Sequence, residues 1–135
     1  MRRSAVATTV ALAAALVTSA AGAASPVPNL SSATAKRGHV VVTFTLGEFA
    51  PGRILVATRG ATTASGKFVT ANIQLNEPLR SVKTATGYRA RTRHTLPAGR
   101  YYVEVSGLVV GLDCAPRNPC PQHWSNVRRV RIPRS

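Results

Sequence analysis

Residues 39–46 read HVVVTFTL, and they put Val40, Val42, Phe44 and Leu46 on one side of an extended chain, with Val41, Thr43 and Thr45 on the other. Successive side chains of a strand point to opposite faces, and β-branched and aromatic residues pack well on a pleated surface. The stretch therefore predicts a strand that turns one face to a core.

The same period recurs downstream. Pro51-Gly52 signals a turn, after which ILVATR at 54–59 is the next expected strand. FVTANIQL at 68–75 alternates again and stops at NEPLR, where Pro78 is expected to break a ladder. YRARTRH at 88–94 sets Tyr88, Ala90, Thr92 and His94 against Arg89, Arg91 and Arg93. After the turn-like LPAGR at 96–100, YYVEVSGLVV sends Tyr101, Val103 and Val105 one way and Tyr102 and Glu104 the other. SNVRRVRIP at 125–133 puts Val130 and Ile132 inside, and Arg129 and Arg131 outside, until Pro133 ends it. Short strands separated by turn signals, with no helical period after the N-terminus, predict an all-β antiparallel sandwich of about seven strands.

Upstream the character changes. MRRSAVATTVALAAALVTSAAGAAS carries Arg2 and Arg3, an apolar run around 10–17 and small residues at 21–25, the layout of a secretory signal peptide. Residues 1–24 are read as that peptide, with cleavage after Ala23 or Ala24, and the mature product is expected outside the cell, secreted or associated with its surface. SPVPNLSSATAKR at 25–37 has two prolines and little periodicity, and reads as a flexible lead-in that touches down as a strand only at its end. Residues 38–135 form the expected domain, within a mature chain of roughly 110 residues, enough for one hydrophobic core.

The formal net charge is +14, and removal of the leader leaves sixteen Lys and Arg against four acidic residues. One reading is attraction to a polyanion such as nucleic acid, teichoic acid or an acidic polysaccharide. The other is an arginine-for-lysine bias, thirteen of the sixteen being arginine, that keeps an exported protein soluble. The candidate polyanion contacts are Arg89, Arg91 and Arg93 on one strand, and Arg128, Arg129 and Arg131 on the last. If bound, nucleic acid is expected to be held through phosphate, with steep salt dependence and little specificity.

Catalysis is poorly supplied. Glu48, Glu77, Glu104 and Asp113 are the only acids and fall in separate segments, so no carboxylate pair is suggested for glycoside hydrolysis. His39, His94 and His123 are the candidate bases, and no serine sits in a Gly-x-Ser-x-Gly setting. No catalytic residue and no cofactor is assigned, and a small secreted hydrolase is the weakest reading. Asp113, Cys114, Cys120 and His123 offer four zinc-type donors, but their spacing lacks the paired Cys-x2-Cys pattern. In an exported chain two cysteines pair by default, so a Cys114–Cys120 disulfide is expected in place of a metal site. It would close a small ring that fixes the shape of APRNP. Arg117, held between Pro116 and Pro119, would then be displayed as a protease inhibitor displays its specificity residue. Trp124, beside the closing strand, is expected to lid the end of the core.

VVVTFTL resembles the second strand of a fibronectin type III domain, with Phe44 where that family usually has tryptophan. LPAGRYYVEV is similar to the family's later hairpin, and WSNVRRVRI to its final strand. The resemblance covers about 40–132 and implies an immunoglobulin-like sandwich in which Tyr101 is the tyrosine-corner residue, bonding back to the turn before it. It also implies binding or spacing rather than catalysis. The expected function is a non-catalytic module associating with an anionic cell-surface polymer or an extracellular protein, with a protease inhibitor as the alternative.

Overall fold

The computed structural model describes residues 28–109 and 121–134. The expected signal peptide, Asp113, Cys114, Arg117 and Cys120 lie outside the described residues, and with them the expected disulfide and its loop. No helix among the described residues is long and apolar enough to cross a membrane.

Among the described residues, nine strands and one short 3-10 turn run in the order β1 (Asn29–Lys36), β2 (His39–Thr45), β3 (Ala50–Ala57), the 3-10 turn (Thr70–Asn72), β4 (Ile73–Pro78), β5 (Ser81–Thr84), β6 (Gly87–Arg91), β7 (Gly99–Leu108), β8 (Gln122–Trp124) and β9 (Arg128–Ile132). They form two antiparallel sheets. One has the order β1-β2-β6-β5 and the other β9-β7-β3-β4, with β8 pairing the far end of β7.

Between the sheets lies the main core. Leu30, Val40, Val42 and Phe44 of the first sheet share one cluster with Ile54, Val56, Tyr101, Val103, Val105, Val130 and Ile132 of the second, each at most 7% exposed. Burying side chains of this size contributes about 1.5–3 kcal/mol each, which is what holds the two sheets face to face. The alternation expected for 39–46 is present in full: Val40, Val42, Phe44 and Leu46 are buried, while Val41, Thr43 and Thr45 are half-buried on the other side.

Four local expectations change. The segment 25–37 is not a lead-in over most of its length, because β1 occupies Asn29–Lys36 and pairs with β2 from end to end. Arg37 (φ 52°) and Gly38 (φ 85°) join the two strands as a two-residue hairpin turn, the geometry that suits strand twist. Leu30 enters the core, while Ala33 and Ala35 pack against it with side chains too small to give the segment an obvious apolar face.

Pro51-Gly52 is not a turn either. The chain reverses at Leu46–Phe49, where the Phe49 N–H donates to the Leu46 carbonyl, and Pro51 and Gly52 lie inside β3 at an irregularity in its pairing with β7. Ser106 Oγ accepts the Arg53 N–H at 2.8 Å there, and a Cβ on residue 52 would come within 2.3 Å of that oxygen. Glycine is needed for this close approach.

The strand expected at 68–75 is displaced. Phe68 sits on an isolated bridge with Thr62, residues 70–72 make the 3-10 turn, and β4 begins at Ile73 and runs through Pro78. Proline is tolerated because β4 is an edge strand whose only ladder partner among the described residues is β3. Finally, the alternation of 88–94 stops early. β6 ends at Arg91, and Thr92 is fully buried with its hydroxyl accepting the Val40 N–H and donating to the His94 carbonyl. The His94 side chain is left 75% exposed.

Candidate anion-binding faces

The outward residues of the first sheet are set by register. Val82 pairs with Arg89, Arg89 with Thr43, and Arg91 with Val41, so these share the face turned away from Val42, Phe44 and Ala90. Lys36 of β1 and Arg80 of the β4–β5 link join Val41, Val82, Arg89 and Arg91 in lining a shallow groove of about 380 Å³. All four cations are exposed, and Val82 is 64% exposed. The one salt bridge among the described residues joins His94 and Glu77, so within them none of the groove's cations is in an ion pair.

The second sheet carries a similar face. Tyr101, Val103 and Val130 point into the core, so Arg100, Tyr102, Arg129 and Arg131 point out. Arg100 stands directly opposite Arg131, and Tyr102 opposite Arg129. These four outward residues line a groove of about 290 Å³. Tyr102 is backed by Gly60, where a Cβ would come within 3.1 Å of the ring.

The other end of this face is covered. Residues 58–72 fold back over it, with the Val69 N–H donating to the Ala61 carbonyl, and bring Phe68 onto Leu55 and Ala57 in a second apolar cluster flanked by Ile73, Tyr102, Trp124 and Val127. Trp124 therefore covers the outer face of the second sheet and does not lid the main core, because β8 pairs alongside β7 and carries it outward. Glu104 is enclosed beneath the same cover at 0% exposure. Its Oε2 accepts the Phe68 N–H at 2.7 Å, and burial pushes its pKa up to about 7 against the pull of that N–H and of Lys67.

Glu77, the other buried acid among the described residues, is differently placed. Burial works to raise its pKa, but the Arg93 N–H, the His94 imidazole 2.7 Å away and the His94 N–H together hold the carboxyl below its ordinary range. It ties the end of β4 to the chain leaving β6.

Of the arginines singled out from sequence, Arg89 and Arg91 meet in the first groove, and Arg129 and Arg131 in the second. Arg93 lies past the end of β6 and lines neither groove. Arg128 sends Nε to the Leu30 carbonyl at 3.0 Å. The triplets on β6 and β9 belong to different sheets. Lys36, Arg80, Arg100 and Tyr102 escape a reading by strand, because only cross-strand register brings them to these grooves. The aromatic residues hold structural places: Phe44 stacks on Tyr88 at 5.7 Å between ring centres, and Tyr101 Oη donates to the Pro97 carbonyl at 2.8 Å.

Chemically, both faces offer fixed positive charge on rigid strands beside small apolar or aromatic surface. Among the described residues no three of His, Cys, Asp and Glu converge as a metal group would require. No protein-family model, curated protein or solved structure matches the chain.

Proposed function

We propose that this chain is an exported, non-catalytic binding module of immunoglobulin-like, fibronectin type III-like architecture that associates with an anionic cell-surface polymer. The observation that carries the binding reading is the first-sheet groove, where Lys36, Arg80, Arg89 and Arg91 surround Val41 and Val82 with no ion pair among the described residues. Uncompensated charge of one sign on a rigid sheet attracts and holds opposite charge. Successive outward residues on one strand stand roughly 7 Å apart, so Arg89 and Arg91 suit anionic groups repeating at a comparable interval. The architectural reading is supported by the facing orders β1-β2-β6-β5 and β9-β7-β3-β4, and by the Tyr101 to Pro97 bond across the turn before β7. Export rests on the N-terminal layout of 1–24.

Chromatography on immobilised heparin tests the binding. The protein is expected to be retained at low salt and released by moderate salt, and an Arg89→Ala/Arg91→Ala variant to elute earlier with its salt slope reduced by about 2. Passage of the wild-type protein straight through the resin at low salt overturns the reading.

A further inference from the structure

We propose that the domain is bifacial: its two cationic grooves hold two separate segments of linear polyanion, so that one chain bridges polymer strands. This rests on the polyanion reading above and extends it from one bound segment to two.

The fold supplies the separation. Both sheets turn their apolar sides to one shared core, so the Arg89–Arg91 face and the Arg129–Arg131 face look away from each other. Packed sheets lie about 10 Å apart, and outward side chains add to that on both sides. Near physiological ionic strength the screening length is about 8 Å, so charge neutralised on one face leaves the potential on the other nearly intact. A segment bound to the first groove therefore does not satisfy the second. Nor does a short segment reach both, since it would have to turn around a sheet edge.

The second face also carries a cost that no described residue relieves. Arg100 and Arg131 are direct cross-strand partners, and like charges in that relation destabilise a sheet. Arg129 lies on the same face, two residues from Arg131, and none of the three is in an ion pair among the described residues. Glu104, the one acid on this side of β7, is enclosed under Phe68 and committed to its amide. Anionic groups from outside are the compensation this arrangement fits. Tyr102, held against Gly60 and opposite Arg129, gives such a chain an aromatic edge to lie against. The first groove offers Val41 and Val82 in the corresponding role.

The consequence is a protein that gathers polymer. Long chains are expected to be cross-linked as protein is added and released in excess protein, when each strand is saturated by its own copies. Heparin tetrasaccharide and long-chain heparin are the probes. Titration calorimetry with the tetrasaccharide should give two bound per wild-type chain. It should give one for Arg89→Glu/Arg91→Glu and one for Arg129→Glu/Arg131→Glu. Light scattering with long-chain heparin should rise for the wild-type protein and fall at least about tenfold for either double variant, because bridging requires both sites at once. The Gln versions of the same exposed positions provide a second set without reversed charge, and thermal melting confirms that each variant is folded. One tetrasaccharide per wild-type chain, or scattering unchanged in either double variant, overturns bridging while leaving single-site binding in place. Absence of any tetrasaccharide binding overturns the polyanion reading and bridging together.

Discussion

Glu104 and Phe68 are joined by a bond that leaves half a carboxylate unanswered: Oε2 takes the Phe68 N–H at 2.7 Å, while Oε1 has no partner among the described residues. Leu55 is the cross-strand partner of Glu104 on β3, and Phe68 packs on Leu55 and Ala57, so the acid lies beneath apolar surface. An ionised carboxylate in such surroundings loses more hydration than one N–H returns.

Stability should therefore fall as the solution becomes more alkaline. The folded-state pKa of Glu104 is raised from 4.5 to about 7, so between these values the folded chain keeps a proton that the unfolded chain has released. This contribution is fully present below about pH 4.5 and is lost as pH rises through about 7, amounting to at most about 3 kcal/mol. Glu104→Gln removes the titration. Denaturant melts at pH 5 and pH 8 should show wild-type stability dropping relative to the variant. Parallel pH profiles for the two proteins would refute the assignment.

Glu77 gives the opposite slope. Its folded-state pKa is lowered, so its contribution is present above about pH 4.5 and disappears as acid protonates the group below that. Glu77→Gln should weaken the hold on the Arg93 and His94 amides and make stability less sensitive to acid between pH 5 and pH 3. The two variants together separate the limbs of the pH profile, and an acid limb as steep in Glu77→Gln as in wild type would place that sensitivity elsewhere.

Tyr101→Phe keeps the ring in the core and deletes only the bond to the Pro97 carbonyl. The expected cost is about 1 kcal/mol, the usual net worth of such a bond, or a fall in Tm of about 4–8 °C for a domain of this size. Because the bond spans the turn that leads into β7, amide exchange should quicken at residues 98–100 before it does in β2. An unchanged Tm would make the hydroxyl a bystander.

How much of this was legible in sequence depends on what each residue's role is set by. Val40, Val42 and Phe44 are set by their own strand, and alternation reveals them. Tyr101, Val103, Val130 and Ile132 are found in the same way. Leu30 was hidden because its strand carries Ser31, Ser32, Thr34 and small alanines, and is ordered by pairing with β2 rather than by its own apolar face. The second cluster was hidden because β7 is buried on both sides around Glu104, and a charged residue in an alternating run reads as solvent-facing. The grooves lie one step further off. Arg89 and Arg91 are neighbours along one strand, whereas Arg100 and Arg131 become neighbours only through the register of β7 and β9. Charge per strand can be read from sequence; charge per face needs topology.

Arg37 holds a positive φ of 52° beside Gly38 in the β1–β2 turn, a position that asparagine occupies with less strain than arginine. Arg37→Asn should stabilise the protein by about 0.5–1 kcal/mol, with a matching rise in Tm. Arg37 lines neither proposed groove, so heparin retention should change by no more than the loss of one remote charge. A lower Tm would show that the arginine side chain contributes a contact that outweighs the turn strain.

Asn126 closes the gap between the two sheets at the start of β1. Its Oδ1 accepts the Leu30 N–H at 2.8 Å and its Nδ2 donates to the Leu30 carbonyl at 3.0 Å, so one side chain pairs both backbone groups of a residue whose side chain is buried in the core. The Asn126 backbone carbonyl in turn accepts the Ser125 hydroxyl, and Ser125 Oγ also accepts the Val105 N–H, which fixes the irregular step between β8 and β9. Asn126→Ala leaves the Leu30 N–H without that partner, while Arg128 Nε still reaches the carbonyl. An orphaned amide there should cost about 1–3 kcal/mol. Hydrogen exchange should quicken at Leu30 well before it does at Val42, because Val42 pairs within the sheet and does not depend on Asn126. Asn126→Asp keeps the acceptor for the Leu30 N–H and loses the donor, so Leu30 exchange should stay nearer the wild-type rate. If Asn126→Ala leaves the Leu30 amide protected, the Asn126 tie between the sheets contributes nothing measurable.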